Sequence, residues 1–427
     1  MGLKASEEGK RKIREALKKK KLQPLSIKTL EMVDSELSIS EKTWRRFVYA
    51  DRPITDENFK KCCKFLDDLN WEEIADSSQP SQPSKYDWNS APSPEPDFYG
   101  RDEDLKTLEK WVLDERYRLI ILYGFGGIGK TQLAVKLGEQ VEKENKFDRF
   151  IWQKLSYTTP KDVLLSELLY RLSPNTDQIT SDLEKRFLEE LKRQRILIIL
   201  DEHELSQKGE DSNSNRDSYK YYCDFLRQLS LERHKSCILL TTREKPNNLE
   251  TVASFVKAHE LKGLDVDAGC KIVADILSSD DNEPPKNLTS DEKARKVLVG
   301  RYGGNPLALK LVAGLIKKQF HGNEGKFLNR NDISMVVPDE IETILTSLTE
   351  ALDPFEKNIL CYLAKVSDSV SNDELYENLP TGMHGSKLPI VLRDLTRRSL
   401  IITVSEGNKV FHTLQPMVRK FVLRQLT

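Results

Sequence analysis

The stretch ILYGFGGIGKTQLA, from Ile121 to Ala134, constrains the fold of this chain more than any other feature. Its central residues, from Gly124 to Thr131, fit the pattern G-x-x-x-x-G-K-S/T at every fixed position. An apolar run typical of a buried strand precedes the pattern, and the helical repeat TQLAVKLGEQV follows it. In such a strand-turn-helix unit, backbone N–H groups and the positive end of the helix converge on one point. The stretch therefore predicts a phosphate-binding loop within an α/β sheet.

The side chains of this loop have distinct expected roles. Lys130 is expected to reach the β- and γ-phosphates of a nucleotide, and the Thr131 hydroxyl is expected to bind Mg²⁺. A glycine-rich turn without a ligand would give no reason for a lysine-threonine pair at this place. The residues expected to contact the nucleotide are Gly124, Gly126, Gly127, Ile128, Gly129, Lys130, Thr131 and Gln132.

Polar side chains follow two other apolar runs. Asp201 and Glu202 come directly after ILIIL, and Arg243 follows ILLTT. Because ligands of open α/β sheets bind at the carboxyl edge of the strands, these side chains are candidates for the same site. We expect Asp201 to bind Mg²⁺ through water, Glu202 to orient or deprotonate an attacking water, and Arg243 to sense the γ-phosphate. The alternatives are a solvent-facing acidic pair and a surface ion pair.

The order of patterns along the chain predicts a multidomain α/β protein. Apolar runs alternate with amphipathic helices over residues 98–261, which predicts a P-loop nucleotide-binding domain with a parallel sheet. Residues 262–335 are typical of a helical bundle, and residues 336–427 of helices with one hairpin, which suggests a winged helix. An all-α module is expected over residues 1–75, and a linker over residues 76–97, where serine and proline dominate.

Composition narrows the possible partners. The chain has 427 residues, and its 67 basic side chains nearly cancel its 68 acidic ones, so the whole molecule exerts no long-range attraction on nucleic acid. No run of about 18 apolar residues and no secretory leader are present in the sequence. We therefore expect a cytoplasmic protein that does not engage a membrane.

Five motifs, FYGR, GFGGIGKT, LIILDE, LLTTRE and GGNPLAL, follow in the order found in NB-ARC proteins, the signal-transduction ATPases of the STAND class. The resemblance covers about residues 96–427. It implies a nucleotide-binding domain, a helical ARC1 domain and a winged-helix ARC2 domain, with ATP or ADP and Mg²⁺ as ligands. By position it makes Arg101 a nucleotide contact, Pro306 a lid against adenine, and Arg243 the γ-phosphate sensor. Taken alone, GGNPLAL would equally fit a turn before a core helix.

One motif departs from the family. The resemblance implies a Met-His-Asp triplet in the winged helix, whose histidine contacts the β-phosphate of ADP. Here the best-aligned segment is LQPMVRKF, which places Gln415 at the histidine and Pro416 at the aspartate. His412, three residues earlier, is the alternative. Glutamine can donate a hydrogen bond to phosphate but carries no proton-switchable charge.

The N-terminal module leaves two interpretations open. Its segment EKTWRRFVYADRPITDENF resembles the helix-turn-helix of repressor proteins, with Lys42, Arg45 and Arg46 as candidate DNA contacts. A protein effector or adaptor module over residues 1–75 would have helices of the same size.

The function expected from these residues is that of a signalling switch. ADP would hold a resting state, and exchange for ATP with Mg²⁺ would open the protein for self-association before slow hydrolysis resets it. An ATPase-gated transcription regulator is the alternative. A small-molecule kinase is disfavoured because the sequence shows no acceptor-site domain. Family members often continue into WD40 or tetratricopeptide repeats that sense a trigger, and the sequence leaves the trigger and its sensor open.

Overall fold

The structure is a computed structural model, in which two units are described separately. They are Met1–Ser84 with Glu167–Asp182, and Lys85–Ser166 with Leu183–Thr427. The described residues are 2–3, 5–22, 26–37, 39, 41–49, 54–66, 69–75, 84–156, 159–173, 182–202, 212–246, 254–278, 292–330, 336–366, 368–378 and 385–426.

Short helices build the N-terminal part of the first unit. Ser6 caps the first of them, because its hydroxyl accepts a hydrogen bond from the Gly9 N–H at 2.9 Å. Two very short strands pair antiparallel, Gly2 with Thr55 and Leu3 with Ile54. The elements are β1 (Gly2–Leu3), α1 (Glu7–Lys19), α2 (Ile27–Leu37), α3 (Glu41–Tyr49), β2 (Ile54–Thr55), α4 (Asp56–Phe65) and α5 (Trp71–Ile74).

Aromatic side chains form the core of these helices. Trp44 on α3 is fully buried, and its ring centroid lies 5.7 Å from that of Phe47 and 5.6 Å from that of Phe65. Phe47 packs in turn on Phe59. Such buried aromatic pairs stabilise a small domain through both area and geometry, so the module has a well-formed core of its own.

A parallel sheet organises the second unit. Among the described residues its strand order is β3-β5-β6-β7-β4-β8. The central strands are buried on both faces, which explains their near-continuous isoleucine and leucine runs. The strands are β3 (Tyr86–Asp87), β4 (Leu119–Tyr123), β5 (Arg149–Leu155), β6 (Ile196–Glu202), β7 (Cys237–Thr242) and β8 (Val256–Glu260).

Strand register brings the carboxyl ends of three central strands to one edge. Asp201 on β6 pairs with Thr241 on β7, and Tyr123 on β4 pairs with Thr242, which is also on β7. The helices in this part of the chain are α6 (Asp102–Glu109), which continues as a π-helical turn (Lys110–Asp114), α7 (Lys130–Glu144), α8 (Lys161–Leu172), α9 (Leu183–Arg193) and α10 (Ser212–Leu231). The boundary between the two units falls within α8.

Part of the predicted linker is ordered on the sheet, which corrects that prediction for residues 84–97. Tyr86 and Asp87 form β3 and pair with β5. Trp88 lies 4.4 Å from the Phe150 ring centroid, and its Nε1 donates a hydrogen bond to Glu142 at 3.0 Å. The serine and proline content suggested disorder, but the rings of Tyr86 and Trp88 supply the apolar surface that holds the segment against Phe150. Residues 76–83 lie outside the described residues.

Helices follow the sheet in two groups. The bundle comprises α11 (Val266–Ser278), α12 (Glu292–Arg301), α13 (Pro306–Phe320) and α14 (Glu324–Leu328). The remaining elements, called here the C-terminal domain, are α15 (Asp339–Glu350), α16 (Pro354–Lys365), β9 (Val370–Ser371), α17 (Asn372–Glu377), a 3-10 turn (Gly385–Lys387), α18 (Leu388–Arg397), β10 (Ile401–Glu406), β11 (Lys409–Leu414) and α19 (Pro416–Gln425).

The predicted hairpin is present as β10 and β11, with Glu406 opposite Lys409, and β9 pairs with the other side of β11. One hydrophobic cluster is continuous from the bundle into the C-terminal domain. Tyr302 of the bundle and Phe421 of α19 both belong to it. None of the described helices is long and apolar enough to cross a membrane.

Candidate functional site

The phosphate-binding loop lies between β4 and α7, as its sequence predicts. Gly127 and Gly129 have φ angles of +73° and +102°, in the region that favours glycine. A Cβ atom at Gly127 would also come within 2.8 Å of the Leu307 side chain. The glycine at this position thus permits both the backbone turn and the close approach of α13.

Lys130 begins α7 and folds back over the loop. Its Nζ donates hydrogen bonds to the backbone carbonyls of Gly124 at 2.8 Å and Phe125 at 3.1 Å. Burial lowers the pKa of Lys130 to about 8, an effect opposed by Glu202. A cation that is this poorly solvated gains strongly from an anionic phosphate nearby.

Asp201, at the end of β6, accepts hydrogen bonds from two hydroxyl groups. Its Oδ1 accepts hydrogen bonds from Thr131 Oγ1 at 2.9 Å and from Thr241 Oγ1 at 2.7 Å. Burial raises the pKa of Asp201, and the two threonine hydrogen bonds oppose that shift. Carboxylate and hydroxyl oxygens are the hard ligands that Mg²⁺ prefers, and it keeps several waters in such sites. The donors present here therefore fit the predicted magnesium ion.

Glu202 and Arg243 lie side by side at the same edge. The Arg243 backbone N–H donates to Glu202 Oε2 at 3.0 Å. Burial raises the pKa of Glu202, while burial lowers the pKa of Arg243 to about 10 against the attraction of Glu202. Groups of opposite charge whose pKa values are both shifted, and which lie in a cleft, are candidates for a functional site.

Arg101 is buried against the phosphate-binding loop and holds its backbone. Its side chain is only 6% exposed, and Nη2 donates to the Ile128 carbonyl at 2.9 Å. Asp104 binds the same guanidinium at 3.2 Å and His259 Nε2 at 2.7 Å. In this structure Arg101 fixes the shape of the loop, and its predicted contact with the nucleotide itself stays a prediction.

The bundle closes onto the loop through the start of α13. Asn305 Nδ2 donates to the Gly126 carbonyl at 2.9 Å, and the Leu307 N–H donates to the Gly127 carbonyl at 3.3 Å. Asn305 also caps α13 through the Ala308 N–H at 3.1 Å. Sequence reasoning selected the neighbouring Pro306 and missed Asn305, although an asparagine before Pro at the first helical turn is a recognisable cap.

A cavity of about 270 Å³ lies beside the loop. Gln132 holds the segment 93–95 at the rim of the cavity. The Gln132 side chain accepts a hydrogen bond from the Glu95 N–H at 3.0 Å and donates one to the Ser93 carbonyl at 3.3 Å. Lys310 forms an ion pair with the Glu95 carboxylate. The lining brings together ten predicted residues from five stretches of the sequence: Arg101, Gly127, Ile128, Gly129, Lys130, Thr131, Gln132, Glu202, Arg243 and Pro306.

Neither Gln415 nor His412 lies among the described residues that line this cavity. Gln415 precedes α19, and its N–H donates to the Leu400 carbonyl at 3.3 Å. His412 is buried, with Nδ1 3.1 Å from Thr403 Oγ1 and Nε2 2.9 Å from Asn372 Oδ1. It faces a different cleft of about 540 Å³, so the structure does not bring either candidate to the phosphate site.

The candidate DNA contacts of the first unit lie on α3. Arg45 is exposed there and Arg46 is half-buried, and both lie between the buried Trp44 and Phe47 in the sequence. The side chain of Lys42 lies outside the described residues.

Comparison with known proteins agrees with the motif order. The NB-ARC domain family matches residues 101–281. An uncharacterized WD repeat-containing protein of Nostoc sp. is 34% identical over 418 residues, which cover 91% of this chain and 32% of that protein. A putative disease resistance protein of Arabidopsis thaliana is 29% identical over 243 residues, 54% of this chain and 27% of its own length. The chain thus spans a third or less of these two relatives.

A solved structure shares the fold. The Walker-type ATPase of Pyrococcus abyssi superposes with a TM-score of 0.52 at 16% identity, covering 78% of this chain and 97% of its own. The six-stranded sheet and the helices around it therefore have the fold of a P-loop ATPase. Residues 101–281 of this chain match the NB-ARC domain family, and they lie within a P-loop ATPase fold.

Proposed function

We propose that this protein is a nucleotide-operated signalling switch. ADP would hold the resting state, ATP with Mg²⁺ would replace it and allow self-association, and slow hydrolysis would restore rest. The observation that supports this proposal best is the pair of hydrogen bonds from Asn305 and Leu307 to the loop at Gly126 and Gly127. Through them, a ligand that reshapes the loop also acts on the helical bundle.

Each side chain at the sheet edge has a task in the proposal. Lys130 would neutralise the phosphates, and Thr131 with Asp201 would hold Mg²⁺, which supplies further charge neutralisation when bound. Glu202 would orient the attacking water, while Arg243 would approach the γ-phosphate. Only a difference in affinity between the two states for the two nucleotides can drive the change.

Identification of the bound nucleotide tests the proposal. The purified protein is denatured, the released nucleotide is identified by liquid chromatography, and the mass in solution is recorded before and after addition of ATP and Mg²⁺. Bound ADP in a monomer that assembles on exchange supports the switch. A site that takes up neither nucleotide, or a mass that stays constant on exchange, contradicts it.

A second candidate function is transcription control through the N-terminal module, with the ATPase as its gate. The exposure of Arg45 on α3, one residue from the buried Trp44, favours it, since a recognition helix needs a firm core and outward cations. DNA affinity that falls steeply with salt, and that Arg45→Ala weakens, would support this function. Binding of a protein by the same module would leave the switch as the better description.

A further inference from the structure

A short turn beyond β7, residues 242–245, lies between the nucleotide site and the C-terminal domain; we call it the sensor turn. Thr242 Oγ1 accepts from the Glu244 N–H at 3.3 Å and donates to the Glu244 carbonyl at 3.2 Å. The Arg243 N–H is held by Glu202 at 3.0 Å. The backbone of the turn is thus fixed on both sides of Arg243.

The next two residues of the turn contact α18 and the residue after it. Glu244 Oε2 lies 3.5 Å from Arg397 Nη2, and Glu244 Oε1 lies 3.7 Å from Arg398 Nε. The Lys245 N–H donates to the Arg397 carbonyl at 3.0 Å. One carboxylate thus lies within ion-pair distance of two guanidinium groups, and together with the backbone hydrogen bond these contacts hold the turn against the end of α18.

The same contacts continue into the C-terminal domain. Arg398 Nη1 lies 3.3 Å from Glu356 Oε1, and both side chains are 8% exposed. Glu356 Oε2 accepts the Asp353 N–H at 2.8 Å, which caps the start of α16. Charged groups this poorly solvated lose much when a partner leaves. A displacement of Glu244 would therefore disturb the ion pair between Arg398 and Glu356, and with it the cap at the start of α16.

We propose that Glu244 is a positioning residue that couples the nucleotide to the C-terminal domain. With ADP bound, Glu244 holds Arg397 and Arg398 and keeps that domain on the nucleotide-binding domain. A γ-phosphate attracts the adjacent Arg243, draws the sensor turn toward the site, and separates Glu244 from its partners. This inference rests on the proposed switch, and it names the contact that transmits the change of nucleotide to the C-terminal domain.

The test compares ADP release from matched variants, measured with a fluorescent ADP analogue. Glu244→Gln and Arg397→Gln should each release ADP about five- to tenfold faster than the wild type. Glu244→Gln removes the ion pairs with both Arg397 and Arg398, whereas Arg397→Gln removes only the first, so the double variant should be no faster than Glu244→Gln. Arg397→Lys keeps the charge and should release ADP near the wild-type rate. Glu232→Gln is the control, since Glu232 pairs with Lys192 at 3.3 Å before β7 begins.

Three outcomes overturn the inference. Wild-type release from Glu244→Gln would show that the contact carries no coupling. Multiplied effects in the double variant would show that Glu244 and Arg397 act separately. A wild-type protein that retains no ADP and keeps a constant mass would remove the switch and the inference together, whereas in the first two cases the switch stands. Melting temperatures of all variants identify any that fail to fold, and the remaining charge-removing variant, Glu244→Gln or Arg397→Gln, is then compared with Arg397→Lys.

Discussion

At the scale of single residues, Lys130 links nucleotide binding to pH. Its pKa of about 8 in the free protein means that it loses its proton as the pH rises through that value. A bound phosphate favours the charged lysine, so binding above this pH requires proton uptake. We expect ADP affinity to fall by up to about tenfold for each pH unit above about 8.

Titration calorimetry in buffers of different ionisation enthalpy measures that uptake directly. Lys130→Arg, which stays charged, should bind ADP with little change over the same range. Wild-type affinity that is flat between about pH 7.5 and 9.5 would mean that the lysine is fully protonated throughout.

Glu202 allows a second test at the same scale. In Glu202→Gln the amide oxygen can still accept the Arg243 N–H, so the local structure should survive. The variant should bind ATP with near wild-type affinity but hydrolyse it about 10²–10⁴-fold more slowly, and should accumulate in the ATP-bound form. Single-turnover hydrolysis measures the step, with Glu260→Gln at the end of β8 as the control. Hydrolysis at the wild-type rate would remove Glu202 from its assigned role.

The position of a site residue could be inferred from sequence where the end of a buried strand decides it, and the roles assigned to those residues stay predictions. Lys130, Asp201 and Arg243 could be located because each follows a buried strand, and parallel strands end at one edge. Asn305 was missed because its contact with Gly126 depends on how α13 packs against the loop. His412 was a reasonable alternative by spacing, yet its ring nitrogens contact Thr403 across the hairpin and Asn372 at the start of α17, and only the folded three-stranded sheet brings these residues together.

At the scale of elements, the start of α13 joins the bundle to the loop, and Asn305 performs two separable tasks there. Asn305→Asp keeps an oxygen that can cap the helix through Ala308 but loses the N–H that binds the Gly126 carbonyl. We expect faster ADP release, with a loss of about 1–3 kcal/mol from the unsatisfied contact. Asn323→Asp, at the cap of α14, changes a cap that has no contact with the loop and is the control. Equal release rates from both variants would contradict this role.

The segment before the sheet shows why element boundaries escaped prediction. Serine and proline over residues 76–97 are typical of a linker, and composition gave no weight to the few aromatic rings among them. Trp88 and Tyr86 nevertheless pack against Phe150 of β5. Two well-placed aromatic side chains therefore outweigh a disorder-prone composition around them.

At the scale of the whole molecule, one hydrophobic cluster spans the bundle and the C-terminal domain, and hydrogen bonds join the bundle to the loop. ADP should therefore stabilise all of these parts together. At a concentration about 100 times its Kd it adds about 2.7 kcal/mol. We expect a rise in Tm of about 3–5 °C by scanning fluorimetry. Lys130→Ala should abolish the rise, and an unchanged shift in that variant would place the ligand elsewhere.

The strand β3 has a practical consequence for work on this family. The family match begins at residue 101, whereas β3 and Trp88 precede it. A fragment cut at the family boundary would leave β5 with an open edge and uncover the rings of Phe150 and Trp152. Unpaired strand edges beside exposed apolar surface are templates for aggregation. Expression fragments that start ahead of Lys85 should stay in solution where shorter ones precipitate.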